Sequence, residues 1–405
     1  MSVQETKLTA IADAIREKEG STGPIPAGDF AARILALPGG SLPDNVRTIA
    51  VTSSDPEMGT VSGGGVASDG MTVTVSGQGS TGKTLKRWME DGEEVSGSRN
   101  YSFTVERDRN LEAVFGSAEM GVWGTMNMPA NEYWISAAYG GGKFVAIVYV
   151  KSIAAYSDDG ITWKTTALPL VTYWQDVAYG AGKFVAVAGQ KYEERNAAYS
   201  EDGVTWETVT LPVAAPWVSI TYGNGKFVAI SGNFTKEVAY SADGISWESA
   251  SLPSAAEWRS VAYGNGVFVA VADGTSANIQ AAYSTDGITW NLAAMPSNNY
   301  WQDVTYGNGK FVAIVRNSNR AAYSADGITW EAITLPVGDI WTSITFGAGR
   351  FVAVAYDSNN FLHSEDGLEW GSGTLPLRRY YSQVIYGNGK FVAVSSSSMG
   401  VYANG

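Results

Sequence analysis

The chain has no cysteine in 405 residues. That excludes a disulfide framework, a thiolate metal centre and a cysteine nucleophile. There is a single histidine, His363. A multi-histidine metal site is therefore excluded, and a Ser-His-Asp triad would have to be built on that one residue. Basic residues are in deficit, with 27 Lys and Arg against 40 Asp and Glu and a formal net charge of −13. Nucleic-acid affinity rests on displacing counterions with Lys and Arg, so no nucleic-acid partner is expected. No apolar run reaches the ~18 residues of a membrane-spanning helix, so no membrane insertion is expected. The opening Met1–Lys7 lacks the apolar run of a secretory leader, which points to synthesis in a cytoplasm without export by the usual route. Neither a metal nor a cofactor is expected.

Glycine and tryptophan are plentiful, at 47 and 14 residues. Together with few charges they point to short strands joined by tight turns. At roughly 100–200 residues per domain, a chain of this length is expected to hold more than one domain.

The first segment, 1–42, reads as a helical attachment segment. Leu8, Ile11, Ala12 and Ile15 fall on one helical face, and Gly20 ends it. Pro26 opens a second helix with Phe30, Ile34 and Leu37 as its apolar face, stopped by Pro38-Gly39-Gly40. Two helices this short bury too little to stand alone. Packing on the rest of the chain and docking on another subunit are both open, and docking is favoured.

The second segment, 45–116, carries strand-like runs at Val46–Thr52, Met71–Ser76, Tyr101–Glu106 and Leu111–Phe115, punctuated by Gly63-Gly64-Gly65, Asp69-Gly70 and Asp91-Gly92. Gly59-Thr-Val-Ser-Gly-Gly-Gly65, Lys86-Arg87-Trp88 with Asp91-Gly92, and Tyr101–Val105 ending in Ala113-Val114-Phe115 resemble the divergent internalin-type B-repeat of bacterial surface proteins. That resemblance implies a small β-rich spacer without chemistry.

The third segment, 118–405, is repetitive. Tyr-Gly-x-Gly-x-Phe-Val-Ala begins at Tyr139, Tyr179, Tyr222, Tyr263, Tyr306 and Tyr386, with Phe346 in the Tyr place once. Between the copies stands Ser-x-Asp-Gly followed by a Trp, at Ser157, Ser200, Ser241, Ser284, Ser324 and Ser364. A period near 40 with four strand-sized runs is the signature of a β-propeller. Asp-Gly and Gly-x-Gly supply the positive φ that tight hairpins need. Seven Tyr-Gly copies against six Asp-Gly turns leave one half-repeat over. Gly121-Val122-Trp123 with Met128-Pro129 matches the missing outer strand. A seven-bladed propeller is therefore expected, closed by pairing residues near 121–126 with 381–405, which removes the open edges that invite aggregation.

The Ser-x-Asp-Gly unit resembles the Asp-box of sialidase-like propellers, one residue shorter between Asp and Trp. In that family the boxes are peripheral and structural. Asp159, Asp202, Asp243, Asp286, Asp326 and Asp366 are accordingly assigned to turns, where their oxygens can accept backbone amides.

Within each repeat, A–B and C–D turns lie at one end and B–C and D–A loops at the other. Length varies only in the B–C loop, so the loop end either serves recognition or drifts freely. That end also carries Trp134, Trp174, Trp217, Trp258, Trp301, Trp341 and Tyr381, one per repeat. They suit either platforms for sugar rings or packing between blades. The candidate ligand site comprises Trp174, Asp176, Trp217, Trp258, Arg259, Trp301 and Asp303, beside loops at Gln190–Asn196, Asn233–Lys236 and Gly274–Gln280.

A sialidase-like enzyme would need an arginine triad, a tyrosine nucleophile with a glutamate partner, and an acid. Arg259, Arg316, Arg320, Arg378, Arg379, Tyr380 and Glu257 are on the loop face, but Arg316 with Arg320 and Arg378 with Arg379 are poorly spread for a triad, and the family's early Arg-Ile-Pro motif is absent. Glu193, Glu194, Asp176 and Asp303 are the carboxylates available to a general glycosidase. No catalytic residue is assigned.

Lys7–Gly20 with Ile25–Ile34 resembles the opening of phage and prophage tail proteins of Gram-positive hosts. With the spacer and the propeller it implies a virion structural protein of the tail-fibre, receptor-binding type. Its expected partners are other tail or baseplate proteins through 1–42 and a host cell-surface glycan or protein. The resemblance also implies a homo-oligomer, with a trimer as one form, made in the bacterial cytoplasm and located in the phage particle. A sialidase-like glycan-cleaving enzyme and a purely structural decoration protein are the alternatives.

Overall fold

A computed structural model describes residues 45–80, 83–117, 122–189, 195–274 and 281–405. The helical attachment segment expected at 1–42 lies outside the described residues, as do most of two of the three loops placed beside the candidate site. The described residues are mainly β, and the chain divides into two compact units between residues 118 and 119.

The first unit holds two sheets. Val46–Ser53 lies between Gly65–Ser68 and Arg109–Ser117 in the larger one, and its pairing with Arg109–Ser117 is parallel. Lys83–Glu90 and Glu93–Ser96 complete that sheet, while Gly59–Ser62, Thr72–Gly79 and Asn100–Thr104 form the smaller one. Val75, Trp88, Leu111 and Phe115 fill the core between them. Glu90 is buried and held by Arg109 at 2.5 Å and Arg107 at 3.0 Å. The Arg109 hydrogen bond keeps its carboxyl below the ordinary range despite burial.

The second unit repeats one four-stranded antiparallel pattern. Trp134–Gly140, Lys143–Val148, Ile153–Ser157 and Lys164–Ala167 pair in chain order as inner strand A, strands B and C, and outer strand D. Trp174–Gly180, Lys183–Ala188, Asn196–Ser200 and Glu207–Thr210 repeat it. Later, Glu248–Gly264 and Glu331–Gly347 each run unbroken from the outer strand of one sheet to the inner strand of the next. Strand B is buried at nearly every position, as Phe-Val-Ala followed by Ile or Val demands.

The A–B hairpins explain the Tyr-Gly-x-Gly motif. Asn224 and Gly225 both have positive φ, at 47° and 72°, which is the two-residue turn that suits twisted strands. The glycine before them has a different task. A Cβ on Gly180 would collide with the ring of Tyr222, the corresponding tyrosine one repeat later. Each such glycine seats the next repeat's aromatic ring, and the series is cyclic, because Gly387 seats Tyr139.

The circle also closes at its rim. Gly124–Asn127 pairs antiparallel with Met399–Asn404, with Gly400 opposite Met126 and Tyr402 opposite Gly124. Trp123, Met126 and Met128 are buried there. The outer strand of the last sheet thus comes from the start of the unit.

Candidate functional site

The two ends of the repeat use their polar groups differently. At the turn end, Asp286 Oδ1 accepts the amides of Ile288 and Thr289 at 2.8 and 2.7 Å. Ser284 Oγ donates to the same oxygen at 2.9 Å and accepts the Gly287 amide at 2.8 Å. Asp159, Asp202, Asp243, Asp326 and Asp366 accept the equivalent pairs of amides. Burial alone would raise the Asp286 carboxyl, but these donors prevail and bring it down to about 2. Trp290 closes the turn by donating its indole N–H to the Gly287 carbonyl at 3.3 Å. Nothing in this arrangement leaves a group for a ligand.

The tryptophans at the loop end are not platforms. Trp174, Trp217, Trp258 and Trp301 are each 0% exposed and sit in apolar clusters with residues of the preceding repeat. Trp258 donates its indole N–H to the Ser254 carbonyl at 3.2 Å, four residues back. Blade-to-blade packing is therefore their role. The residues just after them, not the tryptophans, line the space between the inner strands.

Asp176 and Asp303 also differ from expectation. They were expected to bond ligand hydroxyls, and instead they bind neighbouring strands. Asp176 accepts Ser136 Oγ at 2.7 Å, its own neighbour Val177 N–H at 2.9 Å, Ser219 Oγ at 3.1 Å and the Ile220 amide at 2.9 Å. Asp303 accepts Ser260 Oγ at 2.6 Å and the amides of Val304 and Ile344, each at 2.9 Å. The same position on the other inner strands is Ser136, Ser219, Ser260, Ser343 or Gln383. Each accepts the amide of the following inner strand, and Gln383 returns the series to Ala137. Seven side chains make one closed polar ring. A β-bulge after each leading aromatic turns this position inward. Protein surrounds both carboxyls although water reaches one side of them. Burial raises both, Asp303 to about 6, with the Asp176 charge adding to the rise.

Above this ring, toward the loop end, is a chamber of about 260 Å³ lined by Gln175, Arg259, Gln302, Thr342 and Ser382 among others. A second space of about 250 Å³ lies on its other side, lined by Tyr263 and Tyr306. Arg259 is ion-paired with Glu257 at 3.2 Å. Its guanidinium lies 5.0 Å from the Tyr300 ring centre and bonds the Tyr300 hydroxyl, while Arg316 lies over the same ring at 5.8 Å.

Tyr300 belongs to a group of tyrosines of which only Tyr380 was expected on the loop face. Tyr133, Tyr173, Tyr300 and Tyr380 each precede the leading aromatic of an inner strand, and Tyr149 and Tyr356 stand at or just past the ends of the paired B strands. Tyr149 contacts Tyr133 at 5.5 Å and Tyr173 at 5.7 Å, and Tyr356 stacks on Tyr380 at 4.6 Å. Burial raises the Tyr133 phenol, Tyr356 and Tyr149 add to the rise, and Arg316 opposes it. These rings stand at the loop end of the inner strands, and Tyr133, Tyr356 and Tyr380 are 38%, 37% and 44% exposed.

The arginines do not form a triad. Arg259 and Arg316 converge on Tyr300, Arg378 is ion-paired with Asp357 at 3.2 Å, and Arg320 is exposed. Glu193 and Glu194 lie outside the described residues. Among the described residues no group of three or more His, Asp or Glu could hold a metal ion. No described helix is long and apolar enough to cross a membrane.

Comparison with known proteins bears on both units. Residues 241–391 match the DUF6242 beta propeller domain, and residues 49–119 match the divergent InlB B-repeat domain. The virginiamycin B lyase of Staphylococcus aureus superposes with a TM-score of 0.62 at 11% identity, covering 70% of this chain and 98% of that one. Residues 119–405 have a β-propeller fold. YCF48 from Cyanidioschyzon merolae superposes on the propeller with a TM-score of 0.54 at 11% identity, covering 70% of this chain and 98% of its own. YCF48 bound to D1 peptide gives 0.57 at 13% identity over 71% of this chain and 96% of its own. At these identities the likeness is one of fold. No curated protein matches the sequence.

Proposed function

We propose that this chain is a non-catalytic binding protein of the tail-fibre type. Residues 1–42 attach it to a particle, the B-repeat-like domain spaces it, and a seven-bladed propeller presents its channel mouth to a host cell-surface glycan or protein. The observation that carries the reading is the asymmetry of the propeller. The aspartates of the turn end are engaged by the serine and the amides of their own turns, whereas the loop end leaves tyrosine rings exposed and an arginine-flanked chamber open. Aromatic rings with a few placed polar groups are what a ligand site needs. The resemblance of Lys7–Gly20 and Ile25–Ile34 to phage tail proteins supports the virion setting.

Catalysis is disfavoured by the state of the two carboxyls. Asp176 and Asp303 accept hydrogen bonds from serines and backbone amides that hold adjacent strands together, so neither is free for proton transfer. Binding of the full chain to a glycan array or to host cell walls, followed by product analysis, tests the proposal. Binding without turnover supports it. Turnover would instead make the chain a glycan-cleaving enzyme, and neither would leave a decoration protein. Loss of particle incorporation on removing residues 1–42, with the propeller still folded, tests the attachment role.

A further inference from the structure

The edges of the two sheets in the first unit are not alike. Glu93–Ser96, at one edge of the larger sheet, carries the exposed Glu93 and Glu94, and Gly65–Ser68 at its other edge has only four residues. In the smaller sheet the edge strand Gly59–Ser62 is equally short. The other edge, Asn100–Thr104, is the exception. It has five residues, Asn-Tyr-Ser-Phe-Thr, without charge, proline or glycine. Native edges are usually blunted by such devices, because an open row of N–H and C=O groups is a template for another strand.

The ladder shows which groups are open. Ser76 of Thr72–Gly79 stands opposite Asn100, and Thr72 opposite Thr104. The Gly77 amide donates to the Arg99 carbonyl at 3.0 Å, and the Val105 amide donates to the Met71 carbonyl at 2.8 Å. Backbone groups alternate along a strand, so Tyr101 and Phe103 bond Thr72–Gly79 while Asn100, Ser102 and Thr104 turn theirs to the free side. Among the described residues no strand lies on that side, and all three residues are exposed.

From this we infer that Asn100–Thr104 pairs with the same strand of a second copy of the chain, antiparallel about a two-fold axis at Ser102. The inference concerns the first unit and does not depend on what the propeller binds. Three features favour a copy over a foreign strand. Pairing about Ser102 sets open groups against open groups, with Asn100 opposite Thr104 of the second copy and Ser102 opposite its own counterpart, for about six main-chain hydrogen bonds. The same register places Tyr101 beside Phe103 of the second copy, twice, at the positions where cross-strand side chains come closest. Both rings are only half-buried in the single chain. The third feature is charge. Self-pairing sets like against like near the axis, so a charged strand would repel itself, and in a chain of net charge −13 this strand carries none. Exposed Arg99 and Glu106 flank its two ends, so the antiparallel arrangement brings opposite charges together at both. Five residues make an interface below the ~1,200 Å² of stable complexes, so the pair is concentration-dependent.

The absence of cysteine makes cross-linking the test. In a hydrogen-bonded antiparallel pair the Cα atoms are about 5.5 Å apart, within disulfide reach. Full-length Ser102→Cys should join into a covalent dimer on mild oxidation at least tenfold faster than Thr60→Cys, which lies on the other edge strand of the same sheet. Asn100→Cys and Thr104→Cys should each cross-link poorly alone and readily when mixed, which reads the register. Sedimentation at up to about 1 mM, where a pair with a dissociation constant of that order is half formed, gives a second measure. Ser102→Glu should halve the mass of the assembly with an unchanged melting temperature, and mixing it with Ser102→Lys should restore that mass. Equal cross-linking of Ser102→Cys and Thr60→Cys, rapid cross-linking of Asn100→Cys alone, a parent that stays monomeric, or an assembly whose mass Ser102→Glu leaves unchanged would overturn the inference. Uptake of an extended foreign peptide by a monomeric parent would also overturn it and assign the edge to another partner.

Discussion

The turn end and the loop end of the propeller are built from the same strands and treat their polar groups in opposite ways. At the turn end a carboxylate such as Asp286 accepts two amides and a serine hydroxyl, and its proton affinity falls. Toward the loop end the carboxylates sink into a ring at the axis, and their proton affinity rises. Beyond that ring, Gln175, Arg259 and Gln302 line an open chamber. The difference teaches that similarity among repeats marks what holds the fold, while the lining of the chamber varies from one repeat to the next.

The most severe way to break the comparison is to open the circle. Deleting residues 122–128 removes the strand Gly124–Asn127 together with Trp123, Met126 and Met128, and leaves Met399–Asn404 as an exposed edge. The variant should unfold or aggregate. A variant that melts like the parent would show that both ends hold without closure.

Next comes the packing layer that separates the ends. Trp258→Ala and Trp301→Ala should each cost about 3–5 kcal/mol in denaturant titration, as for other buried aromatics. Tyr300→Ala, one residue away and only partly buried, should cost less than about 1 kcal/mol. Equal losses would erase the distinction between packing residue and mouth residue.

Acidity should act on the ring and the turns with opposite sign. The folded pKa of Asp303 is about 6, above the unfolded value near 3.8. Its contribution is fully present below the unfolded value and is lost as pH rises through about 6, an effect of up to ~3 kcal/mol. Asp303→Asn should remove that slope between about pH 4 and pH 6. The turn carboxyls Asp159, Asp243 and Asp286 lie at about 2, below the unfolded value near 3.8. Their contribution is present above the unfolded value and is lost as pH falls from about 4 toward 2. Denaturant titrations of the parent, Asp303→Asn and Asp286→Asn from about pH 2 to about pH 7 read both slopes.

The smallest effect is the loss of one turn. Asp286→Ala leaves the Ile288 and Thr289 amides to water and should cost about 1 kcal/mol, as for other lost backbone caps. Because Asp286 serves its own turn, binding at the far end should not change. A loss of binding in Asp286→Ala would tie the two ends together.

The rhythm of the propeller was legible because each repeat writes its turns locally. Asn-Gly and Asp-Gly state the hairpins whatever surrounds them, and the half-repeat near Trp123 announced the missing strand. The Tyr-Gly pair was read as a turn, yet its glycine also seats the ring of the next repeat, a contact that no single repeat contains. The tryptophans were legible as one per repeat, but their side was not. A bulge follows each of them, so strict alternation from the Tyr-Gly end misassigns the positions between. The mouth was hidden for a different reason. Tyr133, Tyr173, Tyr300 and Tyr380 occur in four of the repeats at a position held elsewhere by Pro216, Glu257 or Ile340. Their common place around one axis exists only after the strands are arranged in a circle.

Single-cysteine labelling tests the central claim most directly, since the parent has no cysteine to remove. Tyr380→Cys places a thiol at the mouth, and Glu201→Cys places one at the turn end, where the side chain is 70% exposed. Each variant is coupled to a bulky maleimide polymer and tested for binding to the surface that the unlabelled chain recognises. The account predicts that the polymer at Tyr380→Cys abolishes binding and the polymer at Glu201→Cys does not. Binding lost only from the Glu201→Cys adduct would contradict it.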